Sequence, residues 1–267
     1  MKTYQDLLEV IGNDDNLKEF LITAVNQYKG DDMYRDAVVG DAYDKQQNVT
    51  IMQYRKLLYT VSGRAIPDNF SAQHKLASNF YNRFNVQENQ YLLGNGVNFD
   101  EESTKERLGT GKFAFDTRLQ KLGKLALTHG CAYGFWNLDH IDVFKATEFA
   151  PLYDEEDGSI KAGIRFWQID DNKPLRITLY EMDGYTEYIR HKSDTNLQVY
   201  KEKRPYILKT RTSEVDGTEI YDGENYPGFP IIPLWGNQDH TCKIKAWQPK
   251  IDCYDLIESG FANDVDD

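Results

Sequence analysis

"KLGKLALTHGCAYGFWNLD", Lys121 to Asp139, changes period in its middle. Before Gly130 the apolar residues Leu119, Leu122, Leu125 and Ala126 recur at helical spacing, with Asp116 as the candidate cap. After Gly130 the apolar and aromatic residues come in short, partly alternating runs: "CAYGFWNLD", "ATEFAPLYD", "AGIRFWQID", "LRITLYEMD", "YTEYIRHK", "LQVYKEK" and "YILKTRT". Acidic, lysine and glycine clusters such as "DEEDGS" and "DDNKP" separate them, which predicts a strand meander with hairpin turns rather than βαβ alternation. "YPGFPIIPLW", with four proline or glycine interruptions in ten residues, reads as an edge strand between loops.

Upstream of the switch the chain reads as helical. "TYQDLLEVIG" places Leu7, Leu8 and Ile11 on one stripe, and "NLKEFLITAVNQYKG" does so with Leu17, Phe20, Leu21 and Val25; Gly12 and Gly30 are the stops. "DDMYRDAVVGDAYDKQQN" is polar and turn-rich and is expected on the surface. Ser71 can cap a helix from Ala72 to about Leu93. On that helix Phe80, Phe84 and Tyr91 share one side, with Leu76 above them, as the expected core face. Asn79, Asn82, Asn85 and Asn89 gather opposite, although asparagine is about 0.5–0.7 kcal/mol worse than alanine in a helix. Gly94 supplies the stop and Gly96 a second flexible point.

Downstream of the strands, "QPKIDCYDLIESGFANDVDD" returns to helix, with Ile251, Tyr254, Ile257, Phe261 and Val265 as an apolar stripe still running at Asp267. A longer chain is therefore expected to continue this helix. The fold class is α+β: a mainly helical part over 1–130, a β-rich part over 131–247 and a helix beginning at 248.

The 267 residues are enough for a substantial core. The net charge of -12 argues against a broad nucleic-acid face, because backbone affinity comes from Lys and Arg replacing counterions. Cys131, Cys242 and Cys253 are few, odd in number and far apart, which fits a reducing compartment rather than a disulfide framework. No stretch approaches the roughly 18 apolar residues of a membrane helix.

The chemistry of common sites is missing. "LGTGKF", Leu108 to Phe113, lacks the first glycine of a phosphate loop, where Glu106 stands, and has Phe113 where a magnesium-binding Ser or Thr belongs. Asp139, His140 and Asp142 could hold a divalent metal. Strand alternation is expected to put His140 opposite both aspartates, which favours a polar strand end. The five histidines show no zinc-type i, i+4 pair. An acidic pair in a groove of the aromatic sheet stays open, and with it a hydrolase or carbohydrate-active enzyme as the alternative.

The ordered set "YRDAVVGDAYDKQQN", "HKLASNFYNRFNVQENQYLLGNGVNF", "KLGKLALTHGCAYGFWNLD", "AGIRFWQID", "YPGFPIIPLWGN" and "KIDCYDLIESGFANDVDD" resembles the portal proteins of tailed double-stranded DNA phages, in the family found in long-tailed phages and prophages of Gram-positive bacteria. "YLLGN" is its most specific member; Gly96 stands where the family often has proline. The resemblance implies the wing region over 1–130 and 131–247 and the start of the first stem helix over 248–267, without clip, second stem helix, tunnel loop or crown. It implies a dodecameric ring, a homo-oligomer at one capsid vertex of the virion, assembled in the host bacterial cytoplasm. Double-stranded DNA would pass through it during packaging and ejection without sequence-specific binding. Its implied partners are terminase, the major capsid and scaffolding proteins and a head-completion protein; no membrane, cofactor, metal or catalytic residue is implied. Ring closure needs one face of a subunit to meet a different face of its neighbour. Uncharged amides suit such a contact in a -12 subunit, so Asn82, Asn85 and Asn89 are the candidate subunit-interface residues, meeting a neighbour or another polar element. The alternative is that this face is simply solvated.

Overall fold

The computed structural model describes residues 1–108, 114–212 and 219–266. The phosphate-loop-like stretch lies, beyond Leu108, outside the described residues. Helix α1, Tyr4–Val10, opens on a capping box in which Thr3 and Asp6 satisfy each other's main-chain N–H. It stops before Gly12, whose φ of 103° favours glycine. Helix α2, Asp14–Lys29, is capped by Asn13 and buries Phe20, Leu21, Ala24, Val25 and Tyr28.

The segment expected as a surface excursion is instead helix α3, Asp32–Asp44, with Ala37, Gly40 and Tyr43 buried. Asp31 caps it through Met33 N. Its small residues allow close approach: a Cβ on Gly40 would stand 2.4 Å from the carbonyl oxygen of Thr128. Its polar residues are held by partners across the fold, Asp36 by Lys245 at 3.0 Å and Asp44 by Lys124 at 2.9 Å. A helix whose buried face is, apart from Tyr43, small and flanked by paired carboxylates carries no hydrophobic stripe to read.

A short helix α4, Val49–Gln53, precedes a hairpin of β1, Leu57–Tyr59, and β2, Ala65–Pro67. The next helix, α5, spans Phe80–Leu93 and not the whole stretch from Ala72; residues 72–79 are neither helix nor strand, and Ser71 caps nothing here. Helix α6, Glu102–Leu108, and helix α7, Phe115–His129, follow. Asp116 does not cap α7, whose N-cap position is Ala114; its carboxylate accepts from Val97 N at 2.9 Å. Gly130 ends α7 with φ 86°, and a Cβ there would come within 2.9 Å of the main chain at Cys242.

The switch at Gly130 opens the sheet region: β3 Cys131–Asn137, β4 His140–Lys145, β5 Phe149–Tyr153, β6 Ile160–Trp167, β7 Leu175–Glu181, β8 Gly184–Arg190, β9 Gln198–Arg204, β10 Ile207–Thr212, β11 Glu219–Glu224 and β12 Ile231–Trp235. Strands β5 to β9 form an antiparallel meander in sequence order; β12-β3-β4 form a second sheet, and β10-β11 a hairpin. Strand β12 is the proline-containing edge read from sequence, with Pro233 opposite Tyr133. The last helix, α8, is Ile244–Asp266. The class is α+β, as expected. Helices α1 and α2 cover one face of the meander, packing Leu7, Phe20 and Val25 on Ile164, Ile177 and Tyr188. A second core joins both sheets through Tyr133, Phe135, Phe144, Phe149, Tyr180 and Tyr206.

Candidate functional site

Helix α8 carries two stripes: polar Asp255, Ser259 and Asn263, and apolar Tyr254, Ile257, Phe261 and Val265. An amphipathic helix ordinarily turns the apolar stripe inward. Here Asp255 is 0% exposed, with Ser259 and Asn263 equally buried, while Phe261 is 72% exposed and Tyr254, Ile257 and Val265 are exposed with it.

The irregular segment 72–79 explains the inversion. The main-chain N–H groups of Ser78, Leu76 and His74 donate in turn to Asp255 Oδ1 (2.9 Å), Ser259 Oγ (3.0 Å) and Asn263 Oδ1 (2.6 Å). Alternate residues of an extended chain advance about 6.6 Å, and residues four apart on a helix advance about 6 Å. The two periods stay in step over three bonds, so the helix stripe replaces the strand that would otherwise pair these N–H groups. Asn48, fully buried, donates to Asp255 and to the Ser78 carbonyl oxygen at 3.0 Å. One turn earlier Asp252 accepts from the Tyr43 hydroxyl and from Thr50 Oγ1 at 2.7 Å. Burial, and then the bond to Asp252, push the Tyr43 phenol up to about 12, so it remains a donor. At the far end His74 pairs with Asp266.

The first turns of α8 are anchored differently. Ile244 and Ile251 pack with Tyr43, Tyr81 and Cys242, and Lys243 grips Glu88 at 2.6 and 2.7 Å. Beyond them the outward apolar stripe runs into α5. The ring of Tyr254 meets Phe80 edge-on at 4.9 Å, and Trp247 lies 4.8 Å from Phe84. Phe80, Phe84, Trp247, Tyr254, Ile257 and Phe261 thus make one continuous apolar face.

The asparagine helix is inverted too. Phe84 and Leu76, expected in the core, are both about 40% exposed, and Leu76 is on the irregular segment before the helix. The buried residues of α5 are Tyr81, Asn85 and Asn89. Tyr81 donates to the Thr128 carbonyl oxygen at 2.8 Å. Asn89 donates to the Gln120 carbonyl oxygen at 3.0 Å, and Gln120 Nε2 returns a bond to the Leu93 carbonyl oxygen at 3.0 Å. Gly123 permits this, since a Cβ there would lie 2.5 Å from Asn89 Oδ1. Asn82, half-buried, donates to Asp44 at 2.9 Å. Asn82 and Asn89 therefore meet other polar elements of their own subunit, while the buried Asn85 Nδ2 has no hydrogen-bond partner among the described residues.

His140 and Asp142 share a strand face, being two residues apart, contrary to the sequence expectation. His140 Nδ1 lies 2.7 Å from Asp139 and Nε2 lies 3.4 Å from Asp142. Among the described residues no group of three or more His, Cys, Asp or Glu side chains could hold a metal ion. A cleft between the sheets does bring Asp142 and Glu187 among Phe135, Trp167, Tyr180 and Tyr206. Both carboxylates are engaged there, Asp142 by Asn137 at 3.0 Å and Glu187 by Arg204 and Lys201.

The fully buried His129 ring sits 2.7 Å from Asp41. Burial alone would raise the Asp41 carboxyl, but the bond to His129 and the charges of Lys145 and Lys45 outweigh it and hold Asp41 far below 3.8. A depressed carboxyl stabilises the fold fully above its ordinary value and progressively less as pH falls below it. Asp41→Asn is therefore expected to cost about 1.5–3 kcal/mol near neutral pH. Urea titrations at descending pH should show its deficit against wild type shrinking below about pH 4. A constant deficit would remove Asp41 as the source.

No helix among the described residues is long and apolar enough to cross a membrane. Residues 10–267 match the family model described as phage portal protein, SPP1 Gp6-like. A search of curated proteins finds no match.

Proposed function

This chain belongs to the SPP1 Gp6-like family of phage portal proteins, and from that premise we propose how its fold is used. It is a structural subunit of the ring-shaped channel for phage DNA packaging and ejection, and not an enzyme; terminase and capsid proteins are its general partners, and it is a virion component. The finer reading is a dodecamer at one capsid vertex that also meets scaffolding and head-completion proteins. Within it, residues 1–130 and 131–247 make the helical and β-rich parts of the wing, and 248–267 begin the first stem helix.

One observation carries this reading: the last helix keeps its polar stripe inside the subunit and leaves an apolar stripe outside. Contiguous apolar surface on a monomer marks a contact with another protein. The subunit contact expected at Asn82, Asn85 and Asn89 is accordingly assigned to the Phe84–Tyr254–Phe261 face. Of the three amides, half-buried Asn82 alone retains surface to offer at its rim.

Sedimentation velocity and electron microscopy of the purified protein test this. Rings are expected for wild type. Ile257→Asp combined with Phe261→Asp should give folded monomers, because each introduced charge would be desolvated at every subunit contact. Unchanged rings from the double variant would refute the assigned face.

A further inference from the structure

The β1–β2 hairpin has no core of its own. Leu57 and Tyr59 pair with Pro67 and Ala65 on one face, and Leu58 pairs with Ile66 on the other. All of these are exposed, Tyr59 at 72%, and so is Val61 at the tip. An isolated two-stranded hairpin is marginal in water. This one is nonetheless well formed. Its tip is closed by Thr60 N–H to the Arg64 carbonyl oxygen at 3.0 Å and Gly63 N–H to the Thr60 carbonyl oxygen at 2.8 Å. Its base is pinned where Asp68, buried, donates from N to the Lys56 carbonyl oxygen and accepts from Phe70 N and Ser71 N. The result is a blade closed by hydrogen bonds at tip and base, apolar on both sides and held by its root.

Charge selects what it fits. Between Tyr54 and Pro67 every charged residue is basic: Arg55, Lys56 and Arg64. Between Ile251 and Asp266 every charged residue is acidic: Asp252, Asp255, Glu258, Asp264 and Asp266. Glu258 and Asp264 are exposed beside the outward stripe of α8. Blade against blade would oppose bases, and α8 against α8 would oppose acids. Blade against α8 joins opposite charges around two apolar surfaces. The helix also offers a recess: the Cβ position of Gly260 meets nothing within 4 Å. By helical spacing, Cys253, Ile257 and Asp264 stand around it.

We propose that the β1–β2 hairpin of each copy docks on the exposed face of α8, around Gly260, in the next copy of this chain. This rests on the ring-subunit reading and deepens it. The two surfaces differ, so the contact is head-to-tail, the kind that closes into a ring when its rotation closes.

Cys253 is exposed, while Cys131 and Cys242 are buried, which supplies a native handle. A differently tagged copy carrying Tyr59→Cys and Cys253→Ser is mixed with wild type and treated with a short bismaleimide. A cross-linked product between the two tags is expected, with little from the variant alone. In parallel, Arg55→Glu with Arg64→Glu should weaken self-association at least tenfold in sedimentation, and adding Glu258→Lys with Asp264→Lys should restore it. Circular dichroism checks that each variant is folded. Oligomers without the mixed product, or charge reversals that associate like wild type, overturn the docking while leaving the ring reading intact. A wild-type chain that stays monomeric overturns both.

Discussion

Tyr81→Ala is expected to lower the free energy of unfolding by about 3–5 kcal/mol, and Phe84→Ala by under about 1 kcal/mol. The two aromatic residues are three positions apart on α5 and differ in what surrounds them. Tyr81 is 2% exposed, packs with Tyr43, Ile244 and Ile251, and bonds the Thr128 carbonyl oxygen. Its removal leaves a large cavity and an acceptor with one bond fewer. Phe84 is 40% exposed and packs mainly on Trp247 at the surface. Denaturant melts of the monomer give both numbers; comparable losses would mean that α5 sits the other way round. The same orientation predicts that Asn89→Ala, which deprives the Gln120 carbonyl oxygen of its donor, destabilises the monomer by about 1–2 kcal/mol, although the exchange improves helix propensity. A stabilised variant would restore Asn89 to the surface.

What the sequence carried and what it hid divide along one physical line. The meander was legible because an antiparallel sheet with one covered face imposes alternation, and "AGIRFWQID" and "LRITLYEMD" show it. The break at Gly130 was legible because only glycine suits its φ and its closeness to Cys242. Helix α2 was legible because its burial is hydrophobic. Helix α8 is legible as a helix with an apolar stripe; helix α3 and the facing of α5 are not, because these helices, like α8, bury polar or small side chains through contacts with residues far away in sequence. Gly40 against Thr128, Asn89 against Gln120 and Asp255 against Ser78 have no signature in a single window. For the candidate site, Tyr254, Ile257, Phe261 and Val265 are legible as a stripe and Asn82, Asn85 and Asn89 as a face, while Trp247, which lies before the helix expected from 248, is not. The side each faces was not readable, since periodicity identifies a stripe but not the partner that claims it.

Asp255→Leu is expected to cost about 3–5 kcal/mol, although it puts an apolar residue with the same branching into a fully buried site. Asp255 accepts from Ser78 N on one oxygen and from Asn48 Nδ2 on the other. Leucine leaves the Ser78 N–H with no acceptor at that site, and Asn48 keeps only its bond to the Ser78 carbonyl oxygen. Each buried donor left unpaired costs about 1–3 kcal/mol. Asp255→Asn preserves an oxygen for Ser78 N and should cost about 1–2 kcal/mol. Hydrogen exchange separates this from a general core defect. The amides of Ser78, Leu76 and His74 should exchange much faster in the leucine variant, while those of the β5–β9 meander keep protection close to their share of global stability. A leucine variant within about 1 kcal/mol of wild type, with its 74–78 amides still protected, would show that the polar seam does not hold this segment. If the seam does hold it, the outward turn of Ile257 and Phe261 follows. A helix has one face to give its own subunit, and on α8 the three main-chain N–H groups of His74, Leu76 and Ser78 have taken it.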